Sequence, residues 1–72
     1  MNMMPLTFAD IGRLSIIKKV GGRTEVVKHL NALGFVPGRE VRIISSIGGN
    51  LIVNVKDTRV AISREMAGKI MV

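Results

Sequence analysis

The sequence predicts a mostly β fold: a small, strongly bent barrel of about five strands with one inserted α-helix and short helical turns. Three observations predict it. Short runs rich in Ile and Val recur along the chain, each closed by glycine or a polar turn such as Gly21-Gly22, Gly48-Gly49 or Asp57-Thr58. Only one segment, carrying Val26, Val27, Leu30 and Leu33, changes to helical spacing. The chain has 72 residues, too few for a second core. An open sheet of that size would expose two edges, which closure into a barrel removes.

The first element is a short helical turn. Thr7 is its expected N-cap, Asp10 lies near the positive helix end, and Gly12 stops it. Residues 13–20 read as one strand. In the helix that follows, Val26, Val27, Leu30 and Leu33 share one face, with Thr24 as N-cap and Gly34 as the glycine just past the end. Val36-Pro37-Gly38-Arg39 reads as a type II turn, in which proline presets φ and glycine accepts a positive φ.

Beyond that turn the pattern is β. Residues 41–47 form a strand and Gly48-Gly49-Asn50 a hairpin turn. Leu51, Val53 and Val55 alternate with Ile52, Asn54 and Lys56 in the next strand. Asp57-Thr58 is the expected next turn, and residues 59–63 another strand. Ser63 caps one helical turn through Ala67, Gly68 ends it, and residues 69–72 form a last short strand. Residues 14–22 and 41–49 align without gaps, each ending in Gly-Gly, as two glycine-closed strands of similar composition would. The whole reads as a single domain over residues 5–72, with residues 1–4 a short N-terminal extension.

Composition narrows the function classes. Lys+Arg number 11 against 5 Asp+Glu, a net charge of +6, which favours an acidic partner. Cysteine is absent, which excludes disulfides, thiolate metal sites and a Cys nucleophile. No run approaches the roughly 18 apolar residues of a membrane span. Met1-Asn2-Met3-Met4-Pro5 lacks the basic and apolar regions of a signal peptide, so the expected location is cytoplasmic.

Catalysis needs a nucleophile with its base, a carboxylate pair or a metal. The chain has one His, and Asp10, Glu25, Glu40, Asp57 and Glu65 are scattered, so it does not read as an enzyme. Glu25 and His29 stand at i, i+4 on the helix but make at most two ligands, so no metal or cofactor is expected. Gly21-Gly22-Arg23-Thr24 lacks the full spacing of a P-loop and reads as a strand-to-helix corner. Base stacking on single strands uses aromatic platforms, and both aromatics, Phe8 and Phe35, are expected to pack inside. No specific nucleic acid is therefore expected, although a nucleic-acid-binding small barrel is the alternative reading of so basic a chain. Lys18-Lys19 and the dispersed arginines support at most a weak membrane-surface contact. An uncovered barrel edge leaves a homo-oligomer open.

The run Leu30-x-x-Leu33-Gly34-Phe35-Val36-Pro37-Gly38, the Val41/Ile43 strand, the Gly-Gly hairpin, Val60-Ala61-Ile62 and the closing Glu65-Met66-Ala67-Gly68-Lys69-Ile70-Met71-Val72 occur in that order. Together they resemble the ferrous-iron transport protein A family (FeoA), over almost the whole chain. The same domain ends some iron- and manganese-dependent repressors. At this length the chain looks like the transporter accessory, without room for a helix-turn-helix. The resemblance implies an SH3-like barrel and a non-catalytic regulatory role in ferrous iron transport. The implied partner is a cytosolic region of the transporter FeoB, either its GTPase domain or a membrane-proximal part, and the chain would be membrane-associated through it.

The expected protein-binding residues are Leu33, Gly34, Phe35, Val36, Pro37, Gly38, Arg39 and Arg42. They pair an apolar helix-end loop with two arginines, a composition suited to an acidic partner. Lys18, Lys19, Arg23 and Lys28 extend the basic face. Met3, Met4, Met66 and Met71 read as end-of-chain or core fillers.

Overall fold

Period-two alternation turns Val41 and Ile43 of one strand, and Val53 and Val55 of the next, to a common buried side. Around them the computed structural model, which describes residues 2–72, builds a mostly β fold. The order is a 3₁₀ turn (Leu6–Phe8), β1 (Leu14–Ile16), β2 (Lys19–Val20), α1 (Thr24–Leu33), β3 (Glu40–Ile47), β4 (Asn50–Val55), β5 (Thr58–Ser63), α2 (Arg64–Ala67) and β6 (Ile70–Met71). Four strands form an antiparallel sheet in the order β1-β3-β4-β5, and β2 pairs with β6.

The expected single strand over residues 13–20 is two strands in different sheets. Ile16 and Ile17 are adjacent, so one strand cannot turn both inward. The chain bends instead. Ile17 is buried and bonds the β3 side, donating to Arg39 O (2.9 Å) and accepting from Gly38 N (2.7 Å). Lys18 N already donates to Met71 O (2.7 Å) in the other sheet. The split raises the strand count from about five to six. A further kink comes from a bulge between Ile43 and Ser45 of β3, which strengthens the local twist.

Helix α1 lays Leu30 fully into the core, with Val26 and Leu33 packed beside it. Its end is a Schellman motif. Phe35 N donates to Leu30 O (2.9 Å) and Gly34 N to Asn31 O (3.0 Å). Gly34 takes φ 111°, and a Cβ there would sit 3.5 Å from the Lys56 Cβ. The expected N-cap does not form. Arg23 holds that position without a side-chain bond, and Thr24 is the first helical residue. Thr7 likewise lies inside the 3₁₀ turn, whose N-cap is Pro5. At α2 the expected cap is present, with Ser63 Oγ accepting from Met66 N (3.1 Å).

The turns follow the same logic. Val36-Pro37-Gly38-Arg39 closes with Arg39 N donating to Val36 O (3.2 Å), with Gly38 at φ 91° as a type II turn needs. The β4–β5 hairpin turns one residue earlier than expected. Val55 pairs with Thr58, so Lys56 and Asp57 are the loop, at φ 53° and 58°. Positive φ at both central residues is the type I′ geometry that matches the twist of a two-residue hairpin. The chain ends are stitched together by Met4 N to Val72 O (2.9 Å) and Val72 N to Met4 O (2.8 Å). Among the described residues no helix is long and apolar enough to cross a membrane.

Candidate functional site: a basic groove on the sheet

With Val41, Ile43, Val53 and Val55 turned inward, their neighbours must point out. The register then sets Leu14, Arg42, Asn54 and Arg59 side by side across the four strands, on the outer face. An open groove of about 350 Å³ lies along this face, lined by Leu14, Arg39, Glu40, Arg42, Asn54, Lys56 and Asp57. Three cations and two carboxylates make its lining net positive. The Lys56-Asp57 turn forms one part of its wall.

The two arginines of the groove do different things. Arg39 is half-buried and donates from Nη1 to Gly34 O (3.3 Å). A cation there meets the carbonyl end of α1, where the helix dipole favours it, so Arg39 braces the turn against the helix. Arg42 is exposed, and no side-chain hydrogen bond occupies it among the described residues. It remains available to a partner's carboxylate.

Among the described residues no group of three or more His, Cys, Asp or Glu could hold a metal ion. Glu25 and His29 both lie on the exposed face of α1.

Residues 4–72 match the FeoA domain family. The chain belongs to the FeoA family. A protein of Methanocaldococcus jannaschii, provisionally named Fe(2+) transport protein A, is 34% identical over 70 residues, covering 97% of this chain and 85% of its own. The crystal structure of an iron uptake regulatory protein, FeoA, superposes with a TM-score of 0.88 at 25% identity, covering 97% of this chain and 95% of that one. Stenotrophomonas maltophilia FeoA, described as a prokaryotic SH3 domain protein and a candidate ferrous-iron transport activating factor, gives 0.81 at 27% identity, covering 93% and 86% of the two chains. The expected SH3-like architecture is therefore that of the family.

In this FeoA domain the sequence-predicted contact residues divide. Phe35 is 0% exposed and Gly34 is buried, so neither offers a docking side chain on this surface, and Leu33 is half-buried against the core. The reason is the helix end: the Schellman motif folds the residue after Gly34 back over Leu30. Val36 is half-buried, and Pro37 and Gly38 are exposed. Of the eight, only Arg39 and Arg42 line the groove. Lys18, Lys19, Arg23 and Lys28 are exposed, as a basic face requires.

Several surface residues escaped the sequence reading. Phe8, expected to pack inside, is 73% exposed, because the 3₁₀ turn buries Leu6 instead. Met3 and Met4 are exposed at the chain end, one of the two places expected for the methionines, and Met66 and Met71 are half-buried. Leu14 and Ile16 are 46% and 45% exposed. Their alternation with Ser15 was a visible signal that they share a face. Which face it is depends on Ile17 turning inward at the bend.

Proposed function

We propose that this FeoA domain is a non-catalytic, cytoplasmic accessory of a ferrous-iron transporter, acting by protein–protein contact on the cytosolic region of FeoB. The observation that carries the reading is the 34% identity, over 97% of the chain, to a relative named for Fe(2+) transport. The exposed Pro37-Gly38 turn and the Arg42 side of the groove supply a basic surface for an acidic partner. Docking shifts the transporter between conformations by binding one better than the other. The GTPase domain is the first candidate site, and the chain is held at the membrane only through its partner.

The test is Arg42→Glu. Arg42 is exposed on β3, so the variant should keep its fold. The expected result is at least tenfold weaker binding to the transporter's cytosolic region, with reduced ferrous-iron uptake. An amide NMR titration with the GTPase domain, loaded with GDP and then with a non-hydrolysable GTP analogue, locates the contact. Unchanged binding by the folded variant would exclude Arg42 from it.

The nucleic-acid reading gains one exposed aromatic, Phe8, but Phe35 is wholly buried. A single ring does not make a run of stacking platforms. Binding to one RNA or DNA sequence that persists at physiological salt would favour it over the accessory role.

A further inference from the structure

Strand β1 is an edge of the four-stranded sheet, and the ladder shows which way its backbone points. Ile17 exchanges its N–H and C=O bonds with the β3 side, and Ser15 stands opposite Val41. Backbone groups of successive residues in a strand point to opposite sides. The N–H and C=O groups of Leu14 and Ile16 therefore point away from β3. Among the described residues they have no other backbone partner. Their side chains are the half-exposed apolar pair already described, and Phe8 and Ile11 add exposed apolar surface on the segment leading into β1. Natural edges are blunted by shortness, charge, proline or cover, and of these β1, three residues long, has the first. Here Leu14-Ser15-Ile16 carries no charge, and the nearest cations along the chain are Arg13 and Lys18.

We propose that β1 is a docking edge that takes an extended segment of a partner protein as an added strand. The segment has apolar residues at alternate positions and carboxylates at the end lying beside Arg13 and Arg42. The proposal rests on the protein-binding role above and names its surface. Main-chain bonds to Leu14 and Ile16 supply affinity, and the alternate side chains supply selectivity.

Charge selects the occupant and its polarity. Arg13 is exposed and Arg42 stands opposite Leu14, so this end of β1 is basic. At the other end Glu40 stands opposite Ile16, and Lys18 Nζ already donates to Asn2 O (3.1 Å). Carboxylates therefore fit the Leu14 end. A second copy fits poorly. Antiparallel self-pairing of Leu14 with Ile16 sets two chains that each carry +6 edge to edge.

The test is an amide NMR titration of the full chain at physiological salt. The probe is an eight-residue peptide alternating valine and threonine, with two glutamates at one end. One comparator replaces the glutamates by lysines, and another carries N-methyl groups on alternate backbone nitrogens. The glutamate peptide should move the Leu14 and Ile16 amides most and slow their hydrogen exchange at least tenfold. Both comparators should bind at least tenfold more weakly, and so should the glutamate peptide to Ile16→Lys. Because Ile16 is half-exposed, that variant is expected to fold, and the N-methyl comparator leaves the protein unaltered. No shifts, shifts centred elsewhere, or equal binding of all three peptides would overturn the proposal. A dimer abolished by Ile16→Lys would give the edge to a second copy and overturn it as well. If Ile16→Lys binds the transporter's cytosolic region like the wild type, the β1 assignment falls while the accessory role stands. If the wild type does not bind that region, the accessory reading falls instead, and the peptide result is judged by itself.

Discussion

The chain contains two phenylalanines in opposite situations, and this makes a controlled prediction. Phe35 is 0% exposed and Phe8 is 73% exposed. Phe35 follows the αL glycine of α1 and its N–H closes the Schellman motif on Leu30, which is itself fully buried. Replacing Phe35 by alanine removes a core ring and leaves a cavity, at a cost of about 3–5 kcal/mol. Typical stabilities of roughly 0.05–0.15 kcal/mol per residue give a domain of this length about 4–11 kcal/mol in all. The variant should therefore lose between about a quarter and all of its stability. At about 4–8 °C per kcal/mol for so small a domain, Tm should fall by more than about 12 °C. Phe8→Ala, with most of its ring in water, should change stability by no more than about 0.5 kcal/mol. Urea denaturation followed by far-UV circular dichroism reads both variants on one scale. The reasoning fails if Phe35→Ala costs less than about 1 kcal/mol, or if Phe8→Ala costs as much as Phe35→Ala. A stable Phe35→Ala that has lost its partner would return Phe35 to the binding surface.

Three further variants test the local geometry. Gly34→Ala should destabilise by roughly 1–2 kcal/mol in the same denaturation assay, because an L side chain must then hold φ 111°. Ser63→Ala removes the acceptor for Met66 N and should cost about 1 kcal/mol, with faster hydrogen exchange at that amide. Lys56→Asn combined with Asp57→Gly supplies the residues that a type I′ hairpin prefers, and should stabilise by roughly 1 kcal/mol in thermal melts.

Much of the groove was legible as single residues and illegible as a site. Arg39 and Arg42 stood out because they are cations beside an apolar turn, and both do line the groove. Leu14, Asn54 and Lys56 could not be grouped with them from sequence, because only strand register places residues so distant in the chain on one face. The helix-end loop shows the converse. Leu33, Gly34 and Phe35 stand among the expected contact residues although Phe35 is also expected to pack inside, and the local hydrogen bonds that satisfy the helix end do drive Phe35 inward. The misplaced β4–β5 turn has a similar cause. Asp57-Thr58 has turn-like chemistry, but the ladder pairs Thr58 with Val55 and leaves Lys56 to take a positive φ.

By itself the amino-acid sequence determined the class of fold, the single main helix with its glycine stop, the type II turn, the Ser63 cap and the basic balance of the surface. These follow from periods, propensities and counts that act over a few residues. Tertiary structure alone decided that residues 13–20 belong to two sheets, that Phe8 faces water, and that β1 presents an apolar edge beside a basic groove. Each of those outcomes depends on which of two neighbouring apolar residues turns inward, and that choice is made by packing against strands far away in the chain.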